Sequence, residues 1–404
     1  MIPSSETYPF ETDSRASLLS EAQEALRRNA WETATRVLLP GAAQRDAARA
    51  PAIHEYAELG KAGLMGLLVP KIYGGRDSGF VGYCLAMEEL AAADAGISMA
   101  VHAHSIGGTL MIARFGTDEQ KKRFLPALAS GEQLGAFLLT EPSAGSDAAA
   151  LRTTAQKDGD HFILDGEKHL ITNGGIAGTV VVWAVSDPGA GKKGITAFIV
   201  PTRTPGYEAT RVEQKMGQHS SDTARVSFRN CRVPAANVLG EEGRGFRLAM
   251  SGLVEGRIAI AAQAVGIARA AYDVALRYAH TRHAYGQPLT HLQAISFRLA
   301  EMATQIEIAR TFYIYAATLS ERGVPFVKEA SMAKIFAAQM AEQVCSAALQ
   351  IHGGNGYLRD FTVERLARDA RATQLYEGTN DIQNVIIARE ILRDLAGGTD
   401  ARQG

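Results

Sequence analysis

A chain of 404 residues is longer than one hydrophobic core usually serves, so two or three domains are expected. Its 46% hydrophobic and 21% charged residues are typical of a globular protein, and a net charge of −1 without a long basic run argues against nucleic-acid or membrane-surface binding. Distant cysteines, no secretory signal in residues 1–13 and no run of about 18 apolar residues predict a soluble, cytoplasmic protein without disulfides or membrane spans.

The first part of the chain is predicted to be helical. Apolar residues recur there at three- and four-residue spacing in the segments 17–39, 52–62, 81–92 and 117–128. Gly116 interrupts the pattern, and Thr117 with Gln120 forms a capping box at the start of the next helix. We therefore predict an N-terminal α-helical domain over residues 1–134.

The period changes near Leu134, where the chain begins to alternate and becomes rich in Val, Ile, Thr and Phe. The dipeptides Asp158-Gly159 and Asp165-Gly166 separate three short strand-like pieces and predict two hairpin turns. Further strands are predicted at residues 180–185, 195–200 and 224–228. These features predict a middle antiparallel β domain over residues 135–244.

From Gly245 onward the helical period returns and continues to the end of the chain. Two apolar stripes lie along the first two helices, formed by Ile258, Ala261, Val265, Ala268, Tyr272 and Ala275, and by Leu292, Ile295, Leu299, Met302, Ile306 and Tyr313. Stripes of this width predict a C-terminal helical bundle over residues 245–404 and permit packing against another subunit. The fold class is therefore α+β, in the order α, β, α.

Three other patterns do not predict a binding site. The glycines of residues 240–245 do not follow a βαβ pattern, so a dinucleotide-binding fingerprint is not indicated. Residues 189–194 lack the Ser or Thr of a phosphate-binding lysine loop and are interpreted as a hairpin tip. His102 and His104 are weak metal-ligand candidates without a third ligand nearby, so no metal site is predicted.

Two loops of the β domain have the composition of a ligand site. Residues 137–146 begin as an apolar strand and continue as a loop of small and hydroxyl side chains with a proline and a glycine. Residues 170–175 repeat this arrangement with a threonine, an asparagine and paired glycines. Such loops offer backbone N–H groups and hydroxyls to a flat polar ligand.

A short junction near the C-terminus contains a candidate catalytic carboxylate. Gly378 interrupts the helical pattern, Thr379 can cap the helix that follows, and Asp381 lies in its first turn. Glu377 lies in this junction beside Tyr376, and a carboxylate shielded from water by Tyr376 and an apolar ligand can act as a general base. A solvated glutamate at a helix end is the alternative interpretation. The flanking helices are predicted at residues 363–373 and 382–395.

Together these motifs resemble the acyl-CoA dehydrogenase family, whose flavin-dependent subunits have helical, β and helical domains in that order. The resemblance extends over nearly the whole chain. It rests on residues 137–146, 170–173, 215–217, 221–223, 282–286, 293–295, 350–354 and 376–379. The family implies an FAD-dependent enzyme that converts an acyl thioester to the 2-enoyl thioester. Glu377 would remove the α-proton, and a hydride would pass to flavin N5.

The resemblance also implies partners and binding residues. The electrons would pass to an electron-transfer flavoprotein, and the enzyme would be a homotetramer. The residues implied for FAD are Phe137, Leu139, Thr140, Ser146, Leu170, Thr172, Arg282, Gln293, Gln350, Gly353, Gly354, Thr379 and Asp381. Those implied for the substrate are Ser146, Val254, Arg257, Tyr376 and Gly378. Arg282 and Gln293 are expected to reach the pyrophosphate and adenosine half of FAD from a neighbouring subunit.

Two positions depart from many relatives. Leu170 occupies the place where a tryptophan often lies against the flavin, which puts shielding of the flavin from solvent or oxygen in question. Gly256 occupies the place where branched-chain and long-chain relatives carry an alternative base, which favours Glu377 over the neighbouring Glu255. This glycine weakly favours short straight or 2-methyl-branched acyl groups. Coenzyme A and an acyl carrier protein both stay open as the thioester carrier.

Two alternative functions remain at this stage. One is an enzyme of the same fold that passes electrons to oxygen, as an oxidase or a flavin monooxygenase, and Leu170 keeps this possibility open. The other is a non-catalytic module that binds an acyl thioester or a carrier protein. Peroxide release in air would identify the first, and purification without a flavin would identify the second.

Overall fold

The computed structural model describes residues 19–395. The prediction about residues 1–13 and the ends of the first and last predicted domains lie outside the described residues. The helices are α1 Glu21–Thr33, α2 Ala42–Ala48, α3 Ile53–Lys61, α4 Gly79–Ala93, α5 Ala95–His102, α6 Met111–Phe115, α7 Asp118–Ala129, α8 Gly245–Thr281, α9 Gln293–Glu321, α10 Val327–His352, α11 Thr362–Arg371 and α12 Asn380–Leu395. The strands are β1 Gly135–Leu138, β2 Thr154–Asp158, β3 His161–Thr172, β4 Thr179–Val185, β5 Ile195–Pro201, β6 Tyr207–Val212, β7 Thr223–Pro234, β8 Val238–Leu239, β9 His283–Ala284 and β10 Gln287–Pro288.

The helical, β, helical order predicted from the sequence is confirmed. The capping box of Thr117 and Gln120 is present at the start of α7, where each side chain accepts a hydrogen bond from the other residue's backbone N–H. The predicted domain boundaries at residues 134/135 and 244/245 stay a prediction, although they fall in the connections before β1 and before α8.

A π-helical segment, Ala103–Leu110, connects α5 to α6 and lies directly on β1. Its glycines permit this close approach. A Cβ atom added to Gly107 would lie 2.3 Å from the Cβ of Phe137, and one added to Gly108 would lie 2.8 Å from the Cα of Gly135. The segment therefore fixes α5 and its last residue, His102, against the start of the β domain.

The sheet is mixed, so the prediction of a purely antiparallel domain is wrong. Its strands follow the order β6-β7-β3-β2-β4-β5-β8, with β1 paired to β4 in parallel register. The β2-β3 hairpin lies between β1 and β4 in the chain, so β1 and β4 are not joined by a tight turn. This long connection allows β4 to pair with β1 in the same direction. Alternation of side chains identifies strands but does not give their direction.

Of the two predicted hairpin turns, the one at Asp158-Gly159 is confirmed, because Asp158 at the end of β2 pairs with His161 at the start of β3. The one at Asp165-Gly166 is wrong. That dipeptide lies inside the continuous strand β3, where the pairing with β7 shifts register between Leu164 and Gly166. A bulge uses the same residue types as a turn, which explains the error.

Helix α8 forms the centre of the C-terminal helices and packs against α4, α9 and α10. Charged groups buried between these helices are paired. Glu88 accepts hydrogen bonds from Arg310 and Tyr313, and Glu89 accepts them from Arg269. By length and composition α8 is the one described helix apolar enough to cross a membrane, but 78% of its apolar window is buried within the protein, as in a core helix.

Candidate active site

The junction between α11 and α12 has an unusual backbone. Glu377 has φ of +54° and Gly378 has φ of +85°, so two consecutive residues adopt left-handed conformations. Glycine does so without cost, whereas a glutamate is strained there and must be held by its surroundings. The predicted cap is confirmed, because Thr379 Oγ1 accepts a hydrogen bond from the backbone N–H of Ile382 at 3.3 Å. The sequence indicated the break at Gly378 but not the left-handed glutamate.

Two buried side chains hold the carbonyl groups of the junction. Gln383 Nε2 donates to the carbonyl oxygens of Glu377 at 3.2 Å and Gly378 at 2.9 Å. Lys334 Nζ, from α10, donates to the carbonyl of Gly378 at 2.9 Å and to Asn380 Oδ1 at 3.0 Å. Burial lowers the pKa of Lys334 to about 7, and the Glu377 carboxylate opposes this lowering.

Tyr376 connects the junction directly to the β domain and, through Gln263, to the N-terminal helices. Its hydroxyl donates to Gln263 of α8 and accepts from Gln218, which precedes β7 in the β domain, at 3.0 Å. Gln263 in turn donates to the carbonyl of Ala95 and to the hydroxyl of Ser98, both on α5. Burial raises the pKa of Tyr376, so its hydroxyl keeps the proton that it donates.

The Glu377 carboxylate is shielded from solvent, with 15% of its side chain exposed. Its Oε1 lies 3.2 Å from Nε2 of His102 at the end of α5. Its Oε2 has no hydrogen-bond partner among the described residues and faces Gly256, where an added Cβ atom would lie 2.5 Å away. Burial lowers the pKa of the nearby Arg257, and the charge of Glu377 opposes this lowering. One carboxylate oxygen is therefore anchored, and the other is free.

Glu255 is not placed to act as the base. Its carboxylate is buried and accepts hydrogen bonds from both terminal nitrogens of Arg114, at 2.5 and 2.7 Å, and from the Ser320 hydroxyl at 2.9 Å. A carboxylate already engaged by an arginine and a hydroxyl is stabilised in its charged form. This pairing argues against Glu255 and leaves Glu377, which keeps one oxygen without a partner among the described residues, as the candidate base.

The two histidines considered as metal ligands have other partners. Within residues 19–395 no group of three His, Cys, Asp or Glu side chains is placed to hold a metal ion. His104 Nδ1 accepts from the backbone N–H of Gly135, its Nε2 lies 3.0 Å from the carbonyl of Met65, and burial lowers its pKa to about 4. His102 contacts Glu377, a relation that the sequence analysis missed because 275 positions separate the two residues.

The two candidate loops of the β domain are adjacent in space. The backbone N–H of His169 donates to the carbonyl of Thr140 at 2.9 Å, which joins residues 137–146 to the end of β3. This contact places Thr140 beside His169, which is followed in the same strand by Leu170 and Thr172. A second register shift in β3 gives Leu170 a φ of +58° and leaves its side chain 57% exposed. The structure therefore brings together the two loops that carry Thr140, Leu170 and Thr172.

Further predicted residues cluster at a second place. A cavity of about 310 Å³ is lined by Tyr278, Arg282, Leu289, Ile351, His352, Gly353, Gly354 and Asn355. A Cβ atom added to Gly353 or Gly354 would meet nothing within 4 Å, so the backbone there is open to a ligand. An arginine beside open glycine backbone is a set of donors that suits a diphosphate. The cavity unites Arg282 with both glycines, although they are distant in the sequence.

The remaining predicted residues lie on several elements. Gln293 and Gln350 are exposed on α9 and α10 and do not line the cavity. Phe137 and Leu139 lie in and just after β1, and Ser146 is exposed in the loop that follows. The others are placed near Glu377 along the chain or on α8: Val254, Arg257, Thr379 and Asp381.

The comparisons with known proteins agree over most of the chain. Family models described as the N-terminal, middle and C-terminal domains of acyl-CoA dehydrogenase match residues 20–132, 136–231 and 243–392. An acyl-CoA dehydrogenase of Bacillus subtilis is 48% identical over 342 residues, which cover 85% of this chain and 89% of that protein.

Solved structures give the same result. Butyryl-CoA dehydrogenase from Megasphaera elsdenii has a TM-score of 0.91 and 42% identity, with 93% of this chain and 99% of that chain covered. A chain from a structure of the electron transferring flavoprotein of Acidaminococcus fermentans has a TM-score of 0.92 and 43% identity, with the same coverage of 93% and 99%. The protein is thus a three-domain oxidoreductase that acts on acyl-CoA. It belongs to the acyl-CoA dehydrogenase family.

Proposed function

We propose that this protein is an FAD-dependent acyl-CoA dehydrogenase in which Glu377 removes the α-proton of the acyl thioester. The observation that carries the proposal is the state of the Glu377 carboxylate, which is shielded from solvent and keeps one oxygen without a hydrogen-bond partner among the described residues. A general base needs such a free oxygen within reach of the proton that it abstracts. The family supplies the reaction class, and this geometry supports the role of the residue.

The residues of the two clusters support FAD as the cofactor. Arg282 and the open backbone of Gly353 and Gly354 suit the pyrophosphate, while the hydroxyls of Thr140 and Thr172 suit the polar edge of a flavin ring. When bound, FAD would supply the hydride acceptor for the β-hydrogen of the substrate. Because the two clusters lie on different domains, we further propose that the pyrophosphate cluster serves a neighbouring subunit of a homotetramer.

The chain's own residues would bind and orient the substrate at the junction. Gln383 donates to the carbonyl oxygens of Glu377 and Gly378, and Lys334 donates to that of Gly378, so the turn that carries the backbone N–H of Glu377 would keep its direction during the reaction. Fixed donors stabilise the negative charge that develops on a thioester oxygen when the α-proton leaves, and removing one typically costs about 10²–10³ in rate.

We propose a short-chain acyl-CoA as the substrate. Gly256 leaves room for the carboxylate against α8, and the buried side chains of His102 and Tyr83 fill the space behind it. The similarity to a butyryl-CoA dehydrogenase supports the same choice.

We propose an electron-transfer flavoprotein as the electron acceptor, with support from the family resemblance. The exposed Leu170 is the specific observation that favours the alternative, an oxidase, because an aliphatic side chain covers less of an adjacent ring than a tryptophan does. The cytoplasmic location stays a prediction.

One experiment tests the reaction and the acceptor together. The purified protein is mixed anaerobically with butyryl-CoA, 2-methylbutyryl-CoA and octanoyl-CoA, and reduction of the flavin is followed by loss of its visible absorbance. We expect rapid bleaching with the short thioesters and slow bleaching with octanoyl-CoA. Absence of bleaching with every thioester would refute the proposed dehydrogenation. Peroxide release in air at the rate of flavin reduction would show that oxygen, and not a flavoprotein, is the electron acceptor.

A further inference from the structure

The catalytic carboxylate proposed above has a buried neighbour for which the family resemblance assigns no role. His102 is 1% exposed, and its Nε2 lies 3.2 Å from Glu377 Oε1. Its other nitrogen, Nδ1, lies 3.3 Å from the hydroxyl of Tyr83 on α4. The three side chains therefore form a continuous row from α4 through α5 to the junction before α12.

The two partners of His102 determine which of its nitrogens carries the proton. A carboxylate can only accept hydrogen bonds, so Nε2, which lies beside Glu377 Oε1, carries the hydrogen. Nδ1 then accepts from the hydroxyl of Tyr83, whose pKa burial raises well above its ordinary value. A neutral imidazole that accepts at Nδ1 carries its hydrogen on Nε2. Nε2 then donates to Glu377 Oε1, which is the orientation that stabilises a carboxylate rather than a carboxylic acid.

The other charged and titratable groups around Glu377 do not replace this donor. Arg257 on α8 is close enough to interact electrostatically with the Glu377 carboxylate, but its Nη1 group donates to the hydroxyl of Ser331. Lys334 on α10 donates to Gly378 and Asn380, and the hydroxyl of Tyr376 points to Gln263 and Gln218. Tyr83 reaches the carboxylate only through His102. Among the described residues, His102 is the group that hydrogen-bonds the base.

We propose that His102 is a positioning residue that anchors Oε1 of Glu377 and thereby assigns the proton-accepting role to Oε2. This proposal rests on the proposed function of Glu377. In the step concerned, the C2–H bond of the acyl thioester breaks, the proton binds to Oε2, and the electron pair stays on the substrate as an enolate. His102 neither gains nor loses a proton. The Tyr83 hydroxyl supports this role by donating to Nδ1 in the tautomer whose Nε2 donates to Glu377.

A reaction that stops after proton removal isolates this role. A 3-thia-acyl-CoA carries an acidic C2–H but has sulfur in place of C3, so it can lose its α-proton but has no β-hydride to transfer. The holoenzyme is incubated with this thioester in D2O, and deuterium at C2 is measured by mass spectrometry as a function of pH. The rate of exchange reports the action of the base directly.

The variants are chosen to separate the hydrogen bond from the volume of the side chain. His102→Leu fills the space but cannot donate, whereas His102→Gln can place an amide N–H near the position of Nε2. A hydrogen bond donated to a carboxylate favours its charged form, so we expect the acidic limb of the exchange profile in H102L to move upward by about one to two pH units. H102Q should keep the limb near its wild-type position, and Tyr83→Phe should give a smaller upward shift.

The controls distinguish failure of this proposal from failure of the proposed function. If Glu377→Gln exchanges the α-proton at the wild-type rate, the assignment of the base itself is wrong. Suppose that E377Q does not exchange the α-proton. If the acidic limb of the exchange profile then stays in place in H102L, or moves as far in H102Q as in H102L, the positioning role of His102 is overturned. A rate that falls equally at every pH would show a merely structural role and would also overturn it. If H102L retains no flavin, His102→Asn replaces it, because its shorter amide does not reach Oε1.

Discussion

Substitution of Gly256 by alanine tests the geometry of the active site most directly. The added Cβ would lie 2.5 Å from Oε2 of Glu377, 3.1 Å from its Cδ and 3.5 Å from Cε1 of His102. Ordinary contacts between such atoms begin near 3.5 Å, so the carboxylate must move by roughly 1 Å. The free oxygen cannot make this movement without disturbing the anchored one.

The effects on stability and on activity should separate in this variant. Glycine costs roughly 1 kcal/mol relative to alanine inside a helix, and this gain offsets part of an overpacking cost of about 1–3 kcal/mol. The free energy of unfolding should therefore change by no more than about 2 kcal/mol. A misplacement of 1 Å at a reacting group can cost about 10²-fold in rate. We therefore expect reduction of the flavin to be slower by roughly 10- to 100-fold.

The assay is stopped-flow reduction of the flavin by butyryl-CoA without oxygen, with thermal unfolding measured on the same preparation. Gly252→Ala is the matched control. It lies one turn earlier on α8, and its Cβ would meet the flexible end of Met111, with the Cε atom 3.0 Å away, and would make an ordinary contact with Ile106 at 3.8 Å. We expect G252A to reduce flavin at nearly the wild-type rate. A wild-type rate in G256A would show that the Glu377 carboxylate does not lie against α8 during catalysis, which would refute the proposed position of the free oxygen.

Three further predictions concern neighbouring groups. Glu377→Gln should keep its flavin and bind butyryl-CoA but fail to reduce the flavin, as measured by anaerobic titration; turnover near the wild-type rate would refute the assignment of the base. Arg282→Ala should lower the ratio of flavin to protein after gel filtration, because the diphosphate cluster loses its cation, whereas Arg277→Ala, about one turn earlier on the exposed face of α8, should not. Lys334 has a folded-state pKa lowered to about 7, so the unfolded chain binds more protons above that pH and the free energy of unfolding should rise between about pH 7 and pH 10. Lys334→Met should make this rise smaller in denaturant titrations at several pH values, since Lys168 and Lys215, with pKa values lowered to about 8, still contribute to it. An identical rise in both proteins would contradict the prediction.

The order of the domains could be predicted from the sequence because it depends on local periodicity. Capping residues such as Thr117 and Gln120 and the change of period near Leu134 depend only on neighbours in the chain. Strand direction could not be predicted in this way. The parallel pairing of β1 with β4 is decided by tertiary packing, and the Asp165-Gly166 bulge uses the residues of a turn.

The candidate site was predicted only where the signal was local. Gly378 and Thr379 mark the break and the cap, so the place of Glu377 followed from the sequence. The role of His102 could not be predicted, because the sequence around a histidine in an apolar helix does not indicate which distant residue it contacts. Its contact with Glu377 arises only when α5 is fixed against β1 by the close approach of Gly107 and Gly108.

The assembly of the junction links catalytic competence to the docking of all three domains. Glu377 is held in a left-handed conformation that costs on the order of 1–3 kcal/mol, and no single element supplies the contacts that offset this cost. His102 comes from the first helical domain, Gln218 from the β domain and Lys334 from α10. A change that loosens any of these contacts releases the carboxylate before it unfolds the protein. Loss of activity should therefore precede loss of helical structure in a denaturant titration, and coincident loss of both signals would contradict this coupling.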